Sequence, residues 1–271
     1  MENYVPNVHF EQIPIKNLVS NQDYQRALSE RHIERTIQNF DINQINPVKV
    51  SRREGLNYVF NGQHTIEIIA AVSGSRETPV WCMIYDDLEY THEADIFANQ
   101  QKHVKPLTPY DIFIASLEAD NDKQIVIKSI VESCGLKISH TRGHCCICAV
   151  NCLEQIFDKH GFQVLDRALK LIVGAWEGDI ISLMASMIKG IAHLVVVYGD
   201  ALKGDAFIQR VGTVSAREIA RTAKDRRAGF IGYSEAILNI YNRKTKGGLQ
   251  IHKLYTSTNM RESNVGDEKE G

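Results

Sequence analysis

Asn61-Gly62-Gln63-His64-Thr65 carries the clearest chemical signal in the sequence. The run Asn57-Tyr58-Val59-Phe60 before it reads as a strand, and Thr65–Val72 after it reads as a helix. A glycine at such a junction allows close backbone approach, and the helix start presents unpaired N–H groups to an anion. The chemistry this spacing offers is phosphate binding, with His64 as an added ring donor. A second set is basic. Arg217, Arg221 and Lys224 recur at i, i+4 and i+7 and so share one helix face, and Arg226, Arg227, Arg243, Lys244 and Lys246 follow closely. Residues 215–253 hold nine basic and three acidic side chains, a charge of +6 against −8 for the rest of the chain. Such a face can track a phosphate backbone; the plain alternative is a solvated helix surface. A third set, His140, His144, Cys145, Cys146, Cys148 and Cys152, resembles metal ligands, and Cys148 and Cys152 would share a helix face with His144. It lacks the C-x-x-C knuckle of a structural zinc site, so it reads as packing and no metal is expected.

The elements that must position these groups follow from patterning. Val8–Ile15, with Pro14, reads as an edge strand. Ser29 caps a helix with Ile33, Ile37 and Phe40 at helical spacing. Pro47–Ser51 and Asn57–Phe60 read as strands around the turn at Arg53-Glu54-Gly55, Pro79–Tyr85 as a further strand, and 91–100 as a helix. After Pro106 the pattern is helical, at roughly 109–118, 122–134, 145–159, 162–174, 180–198 and 204–211. Thr108 with Asp111, and Ser215 with Glu218, form capping boxes. Gly229 and Gly232 are expected to end the basic helix, and Ser234–Asn242 forms the last one. The fold class is α+β: a small α/β domain over 1–105, an all-helical domain over 106–255, and a disordered polar tail over 256–271.

Composition bounds the class. With 271 residues, 44% hydrophobic and 24% charged, the chain has globular values and room for a core. No uncharged apolar run nears the roughly 18 residues of a membrane span. The start, Met1-Glu2-Asn3-Tyr4, lacks a basic, apolar leader, and the clustered cysteines do not form a spaced disulfide framework. A cytoplasmic location is expected.

In order and spacing, several of these motifs resemble the N-terminal domain shared by ParB partition proteins and sulfiredoxin. They are Asp23-Tyr24-Gln25-Arg26, the helix reaching Asn39-Phe40-Asp41, the strand Asn46-Pro47-Val48-Lys49-Val50-Ser51, and the Gly62 loop. Ala98-Asn99-Gln100-Gln101-Lys102 and then Leu107-Thr108-Pro109-Tyr110 look like the ParB stretch ENxxR followed by L-[ST]-P. The match covers about residues 8–118. Ala175-Trp176-Glu177-Gly178-Asp179 is similar to a segment of the ParB-like proteins of phages and mobile elements, whose loop reads DGQHR. The resemblance implies that Arg26, Gly62, Gln63, His64, Thr65, Asn99 and Lys102 converge on the phosphates of a nucleoside triphosphate with Mg2+. It also implies DNA as a partner and a homodimer. In ParB proteins a helix-turn-helix occupies the place of Ile127–Ser139 and Ala149–Ile156; here a buried helical hairpin is the better fit, because the second helix is apolar.

The departures matter. The family's glutamate is Gln63 and its arginine is Thr65, which removes a bidentate phosphate donor. Sulfiredoxin chemistry is excluded at this loop, since its cysteine corresponds to Gln63. Three readings stay open. The first is a ParB-like, nucleic-acid-associated protein of a mobile element or prophage. The second is a nucleotide-dependent phosphotransferase or nuclease on the same fold, with Glu67 or Asp23 as the acid. The third is a module that binds only protein. The loss of phosphate-clamping groups favours the first, so the chain reads as a binding protein rather than an enzyme.

Overall fold

In a computed structural model describing residues 7–20, 27–102, 105–243 and 247–255, the chain is mixed α+β and divides into two units, Met1–Pro106 and Leu107–Gly271. Asp23, Arg26, Lys244, Lys246 and the tail 256–271 lie outside the described residues.

The first unit is built on a five-stranded sheet. Its strands are β1 (His9–Pro14), β2 (Leu18–Ser20), β3 (Val48–Arg53), β4 (Leu56–Asn61) and β5 (Pro79–Asp86), in the order β1-β5-β3-β4-β2. Pro14 can sit in β1 because that strand is an edge and needs no donor on its outer side. Glu54 and Gly55 both have positive φ, which matches the right-handed twist of the flanking strands and makes β3–β4 a two-residue hairpin. β5 pairs antiparallel with β1 and parallel with β3, and β2 pairs parallel with β4. The parallel pairs and β2 itself have no local sequence signature.

Strand alternation gives the sheet two faces. Ile13, Val48, Val50, Val59, Val80, Cys82 and Ile84 form a core with Ile66 and Ile69 of α2 (Gln63–Ser73). The opposite face carries Ser51, Arg53, Phe60 and Tyr85, with Phe60 and Tyr85 edge-on at 5.4 Å. Here α3 (Tyr90–Lys102) contributes the fully buried Glu93 to an ion pair with Arg53 (2.9 Å). The register shift between Lys49 and Val50 inserts Phe60 as an extra residue, so Asn61 pairs with Lys49 and turns towards the α3 side. α1 (Glu30–Gln38) starts at Ser29, whose hydroxyl accepts the His32 N–H (3.4 Å).

The second unit is mainly helical. α4 (Pro109–Glu118) begins with the reciprocal Thr108–Asp111 box and α5 (Asp122–Ser133) follows. The expected helix over 145–159 is corrected. Residues Lys137–Ile138 (β6) and Cys146–Ile147 (β7) form a short parallel ladder, and α6 begins only at Val150. The turn after α5 therefore leads into a strand, not into the second helix of a helix-turn-helix. α6 (Val150–Trp176) merges the two expected helices across a kink at Gly161 (φ 78°, ψ 175°) and packs against α5. α7 (Ala185–Tyr198) starts five residues later than the pattern suggests, because Asp179 accepts the Ile181 and Ser182 N–H groups and holds a turn before it.

α8 (Gly204–Val211), α9 (Ala216–Arg226) and α10 (Gly229–Tyr241) complete the bundle. Its core joins Leu153, Leu165, Leu169, Ile172, Ile188, Ile191, Phe207, Ile219 and Ile237. Gly229 and Gly232 do not act as stops: Gly229 opens α10, and Gly232 lies inside it against the end of α9. A Cβ at Gly232 would sit 2.3 Å from the Arg227 carbonyl oxygen and 2.6 Å from that of Ala223. Gly232→Ala should therefore cost about 1–3 kcal/mol by overpacking. Urea unfolding followed through Trp176 emission measures it, and an unchanged midpoint would refute the close approach.

Candidate functional site

Gly62 is the N-cap of α2 at φ 108°, ψ 14°, a left-handed conformation that an L side chain resists. A Cβ there would meet Val48 at 3.3 Å, so the loop is also pressed against β3. The buried Gln63 and the half-buried His64 and Thr65 follow as the first turn of the helix. His64 is fixed. The Ser29 N–H donates to its Nε2 (3.2 Å), and its ring meets His32 edge-on at 5.5 Å. Nε2 is thus an acceptor in this arrangement. Glu67, the acid considered for catalysis, is held by both terminal guanidinium nitrogens of Arg76, Nη1 lying 3.0 Å from Oε2.

The C-terminal turn of α3 reaches this loop. Asn61 Nδ2 donates to Gln100 Oε1 at 3.4 Å, which brings the stretch containing Asn99 and Lys102 to the strand end before Gly62. Asn99 and Lys102 themselves are exposed and, among the described residues, make no hydrogen bond or ion pair to the loop. One cation escaped the sequence reading. Lys49, half-buried, pairs in register with Asn61, and among the described residues it forms no ion pair. Only the β4 irregularity puts it there, and a bulge leaves no mark in a strand this short. A glycine-started helix, an amide pair and a lysine can hold an anion; they supply no general base.

The basic set lies on α9 and beyond. Ala216, Ile219 and Ala223 are buried, whereas Arg217, Arg221, Lys224, Arg226 and Arg227 are exposed. Ser215 starts the helix by accepting the Glu218 N–H at 3.2 Å. Among the described residues Arg217, Arg221 and Lys224 make no ion pair and are exposed, with Glu218 and Asp225 on the same helix. Arg227 packs over the Tyr255 ring (5.6 Å), and Arg243 is exposed after α10.

The cysteine set does not act as one helix face. His144, Cys145 and Cys148 precede α6, and the Cys145 amide donates to Gly178 O (2.9 Å). Cys145 Sγ lies 3.2 Å from His144 Nδ1, Cys146 Sγ donates to His144 O, and His140 packs on Tyr110. Among the described residues no three His, Cys, Asp or Glu side chains are placed to hold a metal ion. Burial pushes the Cys82 thiol up to about 11 and the Cys152 thiol up to about 12, so neither is a nucleophile near neutral pH.

Among solved structures, the chain is similar to the C-terminally truncated chromosome-partitioning protein ParB from Caulobacter crescentus complexed with CTP-gamma-S. The two share 12% identity over 84% of this chain and 98% of that one, with a TM-score of 0.36. The same protein complexed to the centromeric parS site gives 12% identity over 83% and 97%, with a TM-score of 0.26. A likeness at that level shows neither a shared fold nor a shared function. Comparison with curated proteins finds no match. No described helix is long and apolar enough to cross a membrane. A family model matches residues 19–251, and the chain belongs to the family it describes, the family of unknown function DUF6551.

Proposed function

We propose that this chain is a ParB-like, nucleic-acid-associated protein of a prophage or other mobile element, acting in the cytoplasm as a homodimer. Its α9 face tracks the phosphate backbone of DNA. Its Gly62 loop, with His64, Thr65, Asn99, Lys102, Arg26 and Lys49, holds the phosphates of a nucleoside triphosphate with Mg2+. The carrying observation is α9: three exposed cations at i, i+4 and i+7, none ion-paired among the described residues, on a helix whose other side is buried. The enzyme reading is weaker, because Glu67 spends its carboxylate on Arg76.

The test is a combined Arg217→Glu, Arg221→Glu, Lys224→Glu variant in a low-salt anisotropy titration with duplex DNA. Binding by the unaltered protein through about four phosphate contacts gives a log–log salt slope of roughly −3.6. The variant loses that binding. Equal affinity before and after the change would make α9 a solvated face. For the loop, a nucleotide bound only by the folded protein raises its melting temperature. A panel of CTP, ATP, GTP and ADP with and without Mg2+ that moves nothing would refute the nucleotide pocket.

A further inference from the structure

A cleft of about 370 Å3 opens in the helical unit where the turn after α6 meets the start of α9. Its walls are Trp176, Asp179, Ile181, Ser215, Ala216 and Arg217. The apolar part is packed into the bundle. Trp176 donates its indole N–H to Val214 O (2.9 Å) and meets Phe207 edge-on at 6.3 Å, and Ala216 is buried in the core. The polar part is incompletely used. Asp179 Oδ1 takes both backbone N–H bonds of the turn, which leaves Oδ2 as an anionic acceptor. Ser215 Oγ accepts from Glu218 N and keeps its own proton to donate. Arg217 is exposed and brings guanidinium donors that no described carboxylate engages.

A flat apolar wall with a carboxylate acceptor and a guanidinium donor at its rim suits a planar ring whose edge has both donors and acceptors. Nucleobases have such edges: aspartate accepts from an exocyclic amine, and arginine donates to ring nitrogen or carbonyl oxygen. Arg217 is also the first cation of the α9 stripe, so a strand tracked by Arg221 and Lys224 runs to the cleft mouth. A base stacked inside a duplex cannot enter a cleft; an unstacked one can. We propose that this cleft takes a nucleobase from single-stranded nucleic acid lying along α9. The proposal rests on the nucleic-acid reading of that helix and adds the strandedness and the base contact.

The experiment compares two fluorescent 12-nucleotide single strands in low-salt anisotropy with the unaltered protein. One has bases throughout and the other is abasic at its central residues, so both present the same phosphates. Base stacking worth about 1–3 kcal/mol makes the abasic strand roughly 5- to 150-fold weaker. Asp179→Asn keeps an oxygen for the turn's N–H groups but removes the charge. It narrows the ratio of the two affinities, because the lost negative charge acts on the phosphates of both strands alike and cancels from that ratio. In a Trp81→Phe background, the strand with bases quenches Trp176 emission and the abasic one does not. Equal affinity for both strands, each lost on reversing the α9 charges, overturns the cleft and spares the basic face. Failure to bind either strand while duplex DNA still binds overturns the cleft and spares the basic face; failure to bind duplex DNA as well overturns both.

Discussion

Arg53→Met should destabilise the sheet unit by about 3–5 kcal/mol, the cost of removing one member of a buried ion pair. Glu93 is fully buried beneath the sheet, and Arg53 Nη1 reaches it at 2.9 Å from the end of β3. The same guanidinium lies over the rings of Tyr58 (4.5 Å) and Tyr90 (5.8 Å) and donates to Leu88 O, an oxygen that also accepts from Ser51 Oγ. Removing Arg53 thus takes the facing guanidinium charge away from a buried carboxylate. Trp81 lies in the same sheet, and in a Trp176→Phe background it is the one tryptophan left. Urea unfolding followed by its emission should show the loss. The double variant Arg53→Met, Glu93→Leu should regain most of it, because a buried pair exchanged for apolar groups is often neutral. A single-variant cost below about 1 kcal/mol would mean that Glu93 does not depend on Arg53.

Phe207→Ala is expected to cost the helical unit a similar amount, about 3–5 kcal/mol, from lost burial and the cavity left behind. Phe207 is fully buried on α8, edge-on to Trp176. The ring therefore supports the indole that walls the cleft beside α9. In a Trp81→Phe background, the variant should lower the urea midpoint and shift native Trp176 emission to the red as water reaches the indole. Phe207→Leu, which keeps most of the volume, should restore the midpoint more fully than the emission. A cost under 1 kcal/mol would show that the site collapses without a cavity.

Taken together, the loop and the helix make different demands on a phosphate. At Gly62 the contact would come from backbone N–H groups, with His64 already committed at Nε2 to the Ser29 amide. On α9 it would come from long, solvated side chains whose attraction is screened by salt. Salt should thus weaken the α9 contact far more than the loop contact, which separates the two in one titration.

What the sequence determined by itself was local. Ser29, Thr108 and Ser215 cap the helices that follow them because a short side chain reaches an N–H two or three residues on. The Glu54-Gly55 hairpin, the Gly62 junction and the basic face of α9 likewise depend on residues within one or two turns of each other. The tertiary structure alone decided what depends on distant partners. β2 is a strand only because β4 lies beside it, and residues 137–138 pair with 146–147 as short strands, so the helix expected from 145 begins at Val150. Lys49 and Asn61 share a face because of a one-residue bulge, and Glu93 is buried because Arg53 comes to it across forty residues of chain. Gly232 reads as a helix breaker in sequence yet serves as the place where α10 passes the end of α9, since glycine's missing side chain permits either role. The cleft beside Arg217 joins residues 176–181 to residues 215–217, and a periodicity that spans single helices has no way to register such a meeting.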